Sequence, residues 1–140
     1  MYNCIAQSYE NLSNFTDSKM DYIVDKHIPF EFILDHLYQV SPVIKRMFGC
    51  VAIYVNDKMV LALRQRDDHP EDNGLWVVTD KTHHASLKQE FPSLRTIQLF
   101  GTKISSWQLL SEDLDDFEEL ALQVCDLILL GDNRIGKKSK

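Results

Sequence analysis

The stretch RMFGCVAIYVNDKMVLALRQR, residues 46–66, decides the fold of this chain. β-Branched and aromatic residues lie on both sides of a polar step, Asn56-Asp57. Such a step between two apolar runs is typical of a β-hairpin. The residues ahead of the hairpin, 46–49, end in Gly49 and predict a turn, because glycine allows positive φ or a bulge at the start of a strand.

The length of the hairpin loop fixes which side chains share a face of the sheet. A two-residue loop pairs Val55 with Lys58 and leaves large side chains on both faces. A three-residue loop pairs Val55 with Met59 and Ile53 with Leu61, which gathers the bulky side chains on one face. The sequence leaves both registers open. The first register implies that helices cover one face and a partner subunit covers the other.

Apolar spacing and turn residues predict the remaining elements. Three helices are expected at 29–40, 83–91 and 113–130, and three further strands at 75–79, 96–100 and 104–110. Pro29 suits the first position of the first helix, Thr82 can cap the second, Ser111 or a neighbouring aspartate can cap the last, and Gly131 suits its C′ position. The sequence therefore predicts an α+β fold: a mostly antiparallel sheet of about five strands, with N-terminal and C-terminal helices packed on it and a short helix between strands three and four.

The chain divides into one domain and two flanking segments. Residues 1–27 are polar and weakly periodic, residues 28–131 form the single domain, and residues 132–140 are a basic tail that we expect to be frayed and solvated. A length of 140 residues suffices for one domain with a sizeable core.

Composition excludes several classes of protein. A formal net charge of −6 argues against broad, non-specific binding to nucleic acid, because phosphate binding needs a basic surface. No apolar run approaches the roughly 20 residues that span a bilayer, and no secretory signal is visible. Three widely spaced cysteines, Cys4, Cys50 and Cys125, fit reduced thiols in a cytoplasmic protein without a membrane partner.

One candidate binding site surrounds the start and the end of the hairpin. If the arginines of this region converge, they form a local anion patch beside an aromatic ring; if they lie apart, they are solvated strand ends. The candidate binding residues are Arg46, Met47, Phe48, Gly49, Arg64 and Arg66.

Three other groups could carry chemistry, and each has a simpler interpretation. The acidic loop 67–72 offers oxygen ligands to a divalent cation, but Pro70 stiffens it and a solvated turn fits it better. His83 and His84 are adjacent, so on a helix they point about 100° apart and rarely bind one ion. Cys50 could be a nucleophile, but its apolar surroundings favour a small buried side chain. We therefore predict no catalytic residue, no metal site and no cofactor.

Several short motifs within residues 29–131 resemble those of a known family, the TfoX N-terminal domain family. They are Arg46-Met47-Phe48-Gly49 before the hairpin, Ile53, Tyr54, Lys58 and Met59 within it, Gly74-Leu75-Trp76 in the third strand, Trp107, and Phe117-Glu118-Glu119-Leu120 in the last helix. The chain departs from the pattern at Cys50 and Ala52, which replace glycines, at Asp57, which replaces a turn glycine, at Val77 or Val78, where a lysine is frequent, and by lacking a proline before the last helix.

The resemblance implies a sheet with flanking helices, shared with YgaC-like proteins and type III secretion chaperones, and an association with the regulation of bacterial competence. It supplies no catalytic residue. The leading hypothesis is a cytoplasmic, non-enzymatic regulatory or protein-interaction domain that binds a protein partner or a second copy of itself as a homodimer. The alternatives are a nucleic-acid-associated transcription or competence regulator and a small cysteine-dependent enzyme.

Overall fold

An antiparallel sheet with helices packed on it forms an α+β fold, as the sequence predicts. The computed structural model describes residues 28–47, 49–100 and 106–138. The segment 1–27, Cys4, Phe48 and Lys140 lie outside the described residues. Within the described residues, no helix has both the length and the apolar character needed to cross a membrane.

The sheet contains seven strands rather than about five. They are β1 Val43–Met47, β2 Cys50–Val55, β3 Lys58–Arg64, β4 Gly74–Val77, β5 Arg95–Thr96, β6 Gln108–Ser111 and β7 Lys137–Lys138. Their order across the sheet is β1-β2-β3-β4-β6-β5, and β7 pairs with the start of β3. Every pairing is antiparallel. Strands β1 and β7 are the two that sequence reasoning missed.

The α-helices of the described residues are α1 Glu31–His36, α2 His84–Glu90 and α3 Phe117–Leu129. Short 3₁₀ helices lie at Tyr38–Val40, Pro70–Asp72, Lys81–His83 and Gln98–Phe100. The predicted strand at 96–100 is thus wrong beyond Thr96, where the chain coils into the last of these 3₁₀ turns.

The hairpin combines the two registers that the sequence left open. At its tip Val55 pairs with Lys58, as a two-residue loop requires, and Asn56 and Asp57 both have positive φ. The register then shifts by one residue, so that Ile53 lies opposite Leu61. A β-bulge in β3 therefore gives the tip one predicted register and the body of the hairpin the other.

The turn at the hairpin tip leads to a prediction. Asp57 has a φ of 66°, a left-handed conformation that is unfavourable for residues with a Cβ. Glycine adopts this conformation without strain, and Asn-Gly is the preferred pair for such turns. We expect Asp57→Gly to raise the free energy of unfolding by about 1 kcal/mol, measured by urea denaturation. An unchanged or lower stability would contradict the assigned turn.

Both faces of the sheet carry buried side chains, and the helices of the described residues pack on one of them. The first face holds Val51, Ile53, Leu61 and Leu63, which pack in one cluster with buried side chains from all three helices. The second face holds a separate cluster. Its buried members are Cys50, Ala52, Met59, Ala62, Trp76, Val78, Ile97 and Leu109. The prediction that helices cover one face is confirmed; a partner subunit on the other stays a prediction.

The helix ends differ from the sequence expectations for local reasons. Phe30 adopts a left-handed conformation, with φ 57°, so α1 begins at Glu31 and Pro29 is not its first residue. Asp80, rather than Thr82, caps the turn before α2 by accepting a hydrogen bond from the Thr82 amide at 3.1 Å. Gly131 occupies the predicted C′ position of α3, with φ +76°.

The acidic residues before α3 form turns instead of its first helical turn. The Ser111 Oγ accepts a hydrogen bond from the Asp113 amide at 3.1 Å, and the Ser111 carbonyl accepts one from the Leu114 amide. Short acidic side chains favour such turns over helix interiors. The helix therefore begins at Phe117, four residues later than predicted.

The start of the tail is ordered, which corrects the expectation of a frayed end. Arg134 donates hydrogen bonds to Asp132, to Ser86 and to Glu90, so it ties the segment after α3 to α2. These bonds lower the pKa of Asp132 below its usual range. Ile135 is buried in the first-face cluster.

Candidate functional site

The end of β3 carries a deeply buried charge, the guanidinium of Arg64. Arg64 alternates with Leu63, so its side chain lies on the second face with Cys50 and Ala62, and it is 1% exposed. A buried guanidinium is costly unless its donors are hydrogen-bonded. The chain supplies the partners from the polar loop that follows the strand, residues 65–73.

The loop wraps around the Arg64 guanidinium and supplies an acceptor for each terminal nitrogen. Nη1 donates to the His69 carbonyl at 2.8 Å and to Asn73 Oδ1 at 2.9 Å. Nη2 donates to the Asp68 carbonyl at 2.9 Å. Nε is buried without a hydrogen-bond partner. The terminal nitrogens of Arg64 therefore hold the loop in place and are not presented to a ligand.

Asn73 closes the loop through its side-chain amide. Its Oδ1 accepts a hydrogen bond from the Arg66 amide at 2.9 Å, and its Nδ2 donates to the Arg66 carbonyl at 2.8 Å. The Asn73 carbonyl accepts a hydrogen bond from the Glu112 amide. The Asn73 side chain thus bridges both ends of the loop, and its backbone carbonyl links the loop to the segment after β6.

Asp72 connects the loop to the 3₁₀ turn at Gln98–Phe100. Its carboxylate is fully buried and accepts hydrogen bonds from the Gln98 amide at 2.9 Å and the Leu99 amide at 2.6 Å. Arg95 lies 3.7 Å from the same carboxylate, and the Asp72 carbonyl accepts a hydrogen bond from the Trp76 indole. The carboxylate is therefore engaged in holding the backbone together.

The predicted arginine patch does not form, because the sheet separates its members. Arg46 lies two residues after Ile44 and opposite Val51, so it shares the first face with them, whereas Arg64 lies on the second face. Met47 is partly buried on the second face, and Phe48 lies outside the described residues. Arg46 therefore lies apart from Arg64, whereas Arg64 and Arg66 both pair with the Asp68 carboxylate.

Gly49 and Arg66, two members of the predicted site, lie against each other. The Arg66 side chain lies over Gly49 so closely that a Cβ added there would come within 2.6 Å of Nη1. Arg66 Nε also donates to Asp68 Oδ1 at 2.7 Å, which lowers the pKa of Asp68 below its usual range. The φ of +77° at residue 49 favours glycine, because residues with a Cβ are strained in this conformation.

The remaining candidate groups are the histidine pair and the acidic loop 67–72. His84 Nε2 lies 2.6 Å from the Ser106 carbonyl, to which it donates. Across residues 28–47, 49–100 and 106–138, no group of three His, Cys, Asp or Glu side chains is placed to hold a metal ion. The interpretation of 67–72 as a wholly solvated turn is wrong for Asp72, which is buried.

The environment of Cys50 gives a prediction about its reactivity. Burial raises the pKa of the Cys50 thiol, although Arg64 and Arg66 act in the opposite sense, and burial raises the pKa of Cys125 to about 12. Only the thiolate is nucleophilic. We expect iodoacetamide to modify both thiols at least about tenfold more slowly in the folded chain than in urea, as measured by peptide mass spectrometry. Equal rates at Cys50 would contradict this.

Comparisons of the chain with protein-family models, with curated proteins and with solved structures each gave no match.

Proposed function

We propose that this chain is a non-enzymatic regulatory or protein-interaction domain, of the kind that the resemblance to TfoX N-terminal domains implies. The observation that carries the proposal is a pair of exposed apolar side chains at one end of the helix layer, Tyr38 and Leu130. They are 82% and 81% exposed. We call this pair the helix-end patch.

The contacts between α1 and α3 bring the two members of the patch to the same end. Phe30 meets Phe117 near the start of both helices, with ring centroids 5.0 Å apart. Near their ends, His36 Nε2 lies 2.7 Å from Asp126 Oδ1. Tyr38 follows His36 by two residues, and Leu130 follows Asp126 by about one helical turn. Exposed apolar surface gathered at one end of a fold is typical of protein–protein contact sites.

The engagement of the polar groups also supports a non-catalytic role. A catalytic group must be able to reach a substrate atom. The side chains of Arg64, Asp72 and Asn73 instead make the hydrogen bonds that fix the loop, and the raised pKa of Cys50 disfavours a nucleophilic thiolate.

Charge distribution supports a protein partner over nucleic acid. The net charge is −6, and the turns before α3 concentrate carboxylates on the surface. Arg46 and Arg64 lie on opposite faces of the sheet, so they do not build one basic surface for phosphates.

Sedimentation equilibrium of the full chain tests the proposal. We expect the wild type to form a homodimer and the double variant Tyr38→Ser/Leu130→Ser to dimerise at least about tenfold more weakly, because large apolar anchors dominate such interfaces. Gln39→Ser, a change at the exposed residue next to Tyr38, is the matched control and should dimerise like the wild type. Circular dichroism checks that all variants fold. Equal behaviour of all three proteins would contradict a role for the patch.

A further inference from the structure

Two different strands share one edge of β3. β4 pairs with residues 61–64, and the Val78 amide then donates a hydrogen bond to the Val60 carbonyl at 3.0 Å. Beyond this point β4 leaves the sheet, and the C-terminal strand β7 takes its place beside Lys58 and Met59. The tail of the chain thus occupies a short strand site that β4 leaves vacant. We call this site the Lys58 edge, residues 58–59 of β3.

The tail is held firmly before β7 and weakly within it. Thr79 Oγ1 donates to the Arg134 carbonyl at 2.6 Å, Ile135 is buried, and the Gly136 amide donates to the Val78 carbonyl at 2.6 Å. Between Gly136 and residue 138, where the described part of the chain ends, the tail is joined to β3 by two residue pairs, Lys58 with Lys138 and Met59 with Lys137.

The first of these pairs places like charges directly opposite each other. Lys58 faces Lys138 across the two strands. Among residues 28–47, 49–100 and 106–138, neither lysine forms an ion pair with a carboxylate. Like charges at directly opposed positions destabilise a strand pair, whereas opposite charges stabilise it. The chain's own tail is therefore a poor electrostatic match for the edge that it covers.

We propose that the Lys58 edge is a strand-exchange site for an extended acidic segment of a partner protein, and that the C-terminal strand is its internal occupant. The partner segment carries an apolar residue and a glycine in the places of Ile135 and Gly136, and a glutamate or aspartate opposite Lys58. This inference rests on the proposed interaction function and names the chemistry of the partner.

The geometry explains the three features of the partner segment. The apolar residue fills the buried position of Ile135. The glycine is needed because a Cβ at Gly136, which has a φ of +112°, would lie 3.2 Å from Val60 Cγ1. The carboxylate converts the repulsive pair into an attractive one. Main-chain hydrogen bonds to the edge supply the rest of the binding energy, as in other additions of a strand to a sheet.

Fluorescence anisotropy with two labelled peptides tests the proposal on the full chain. One peptide has the sequence of residues 132–140, and the other carries the change K138E. We expect the wild-type chain to bind the K138E peptide about threefold to tenfold more tightly than the unchanged peptide. The chain variant Lys58→Glu should reverse this preference. The chain variant Lys138→Glu should bind both peptides more weakly, because its own tail then pairs favourably with Lys58.

A charge change at another surface residue separates an effect at the Lys58 edge from an effect of the net charge of the chain. Lys88→Glu alters an exposed lysine of α2 and should leave both affinities unchanged. The proposal is overturned if no peptide binds, if the wild type does not distinguish the two peptides, or if Lys58→Glu leaves the preference unaltered. It is also overturned if binding appears only as exchange of tails between two copies. We expect the variant Tyr38→Ser/Leu130→Ser to bind both peptides like the wild type. Binding at the Lys58 edge is therefore tested separately from the role of the helix-end patch.

Discussion

Arg64→Met is expected to lower the free energy of unfolding by about 3 kcal/mol, since hydrogen bonds to a charged group contribute about 1.5–3 kcal/mol each. The substitution keeps an unbranched side chain in the buried position but removes the donors to His69, Asn73 and Asp68. The loop 65–73 then loses its central anchor. Urea denaturation, followed by the fluorescence of the buried Trp76, measures the change.

Arg66→Met is the matched control for this prediction. Arg66 is two residues away and also pairs with Asp68, but its side chain is 47% exposed. Because water screens exposed ion pairs, this change should cost less than about 1 kcal/mol. Equal effects of the two substitutions would mean that Arg64 does not organise the loop.

Gly74→Ala is expected to destabilise the fold by at least about 3 kcal/mol, since overpacking and an unfavourable backbone conformation act together at this position. Gly74 opens β4 with a φ of +143°. A Cβ here would overlap the Leu110 carbonyl oxygen and would lie 2.8 Å from the Glu112 amide nitrogen, and both of these are backbone atoms that cannot rotate away. Thermal denaturation followed by circular dichroism measures the effect.

Gly131→Ala provides the control, because Gly131 also has positive φ, +76°, but no atom lies within 4 Å of an added Cβ. The cost should be only that of the left-handed backbone, about 1–2 kcal/mol. If both alanine variants lose the same stability, steric contact with β6 is not what requires glycine at position 74.

The hairpin was predictable because its pattern is local. Asn56-Asp57 marks the turn, and alternation marks the strands, so the sequence reduces the register to two alternatives. The bulge between them was not predictable, because it depends on the other edge of β3. There the Val60 carbonyl accepts a hydrogen bond from the Val78 amide, and the Gly136 amide donates to the Val78 carbonyl, so these contacts come from residues distant in sequence.

The sequence predicts residues 65–73 as a loop, but it does not predict the buried hydrogen bonds that hold the loop in place. Its composition indicates turns, but the burial of Asp72 and Asn73 depends on Gln98, Leu99 and Arg66, which the fold brings to them. One local signal was available: Arg64 ends a run of apolar residues at a position that alternation assigns to a buried face. An arginine in such a position needs several fixed acceptors.

The candidate site was harder to predict from the sequence than the fold, for a related reason. Arg46 and Arg64 are both near the hairpin in sequence, yet pleating places them on opposite faces. Conversely, Lys58 and Lys138 are far apart in sequence and become direct neighbours through β7. Proximity between strands, rather than along the chain, decides which charges act together.

Native mass spectrometry of the full chain, purified directly from cells, tests the central claim most directly. Because we assign the chain an interaction function, we expect the mass of two copies, alone or with another protein, without a retained small molecule. A stoichiometric metal ion or small organic molecule would contradict a non-enzymatic interaction domain and would redirect attention to the Arg64 loop and to Cys50.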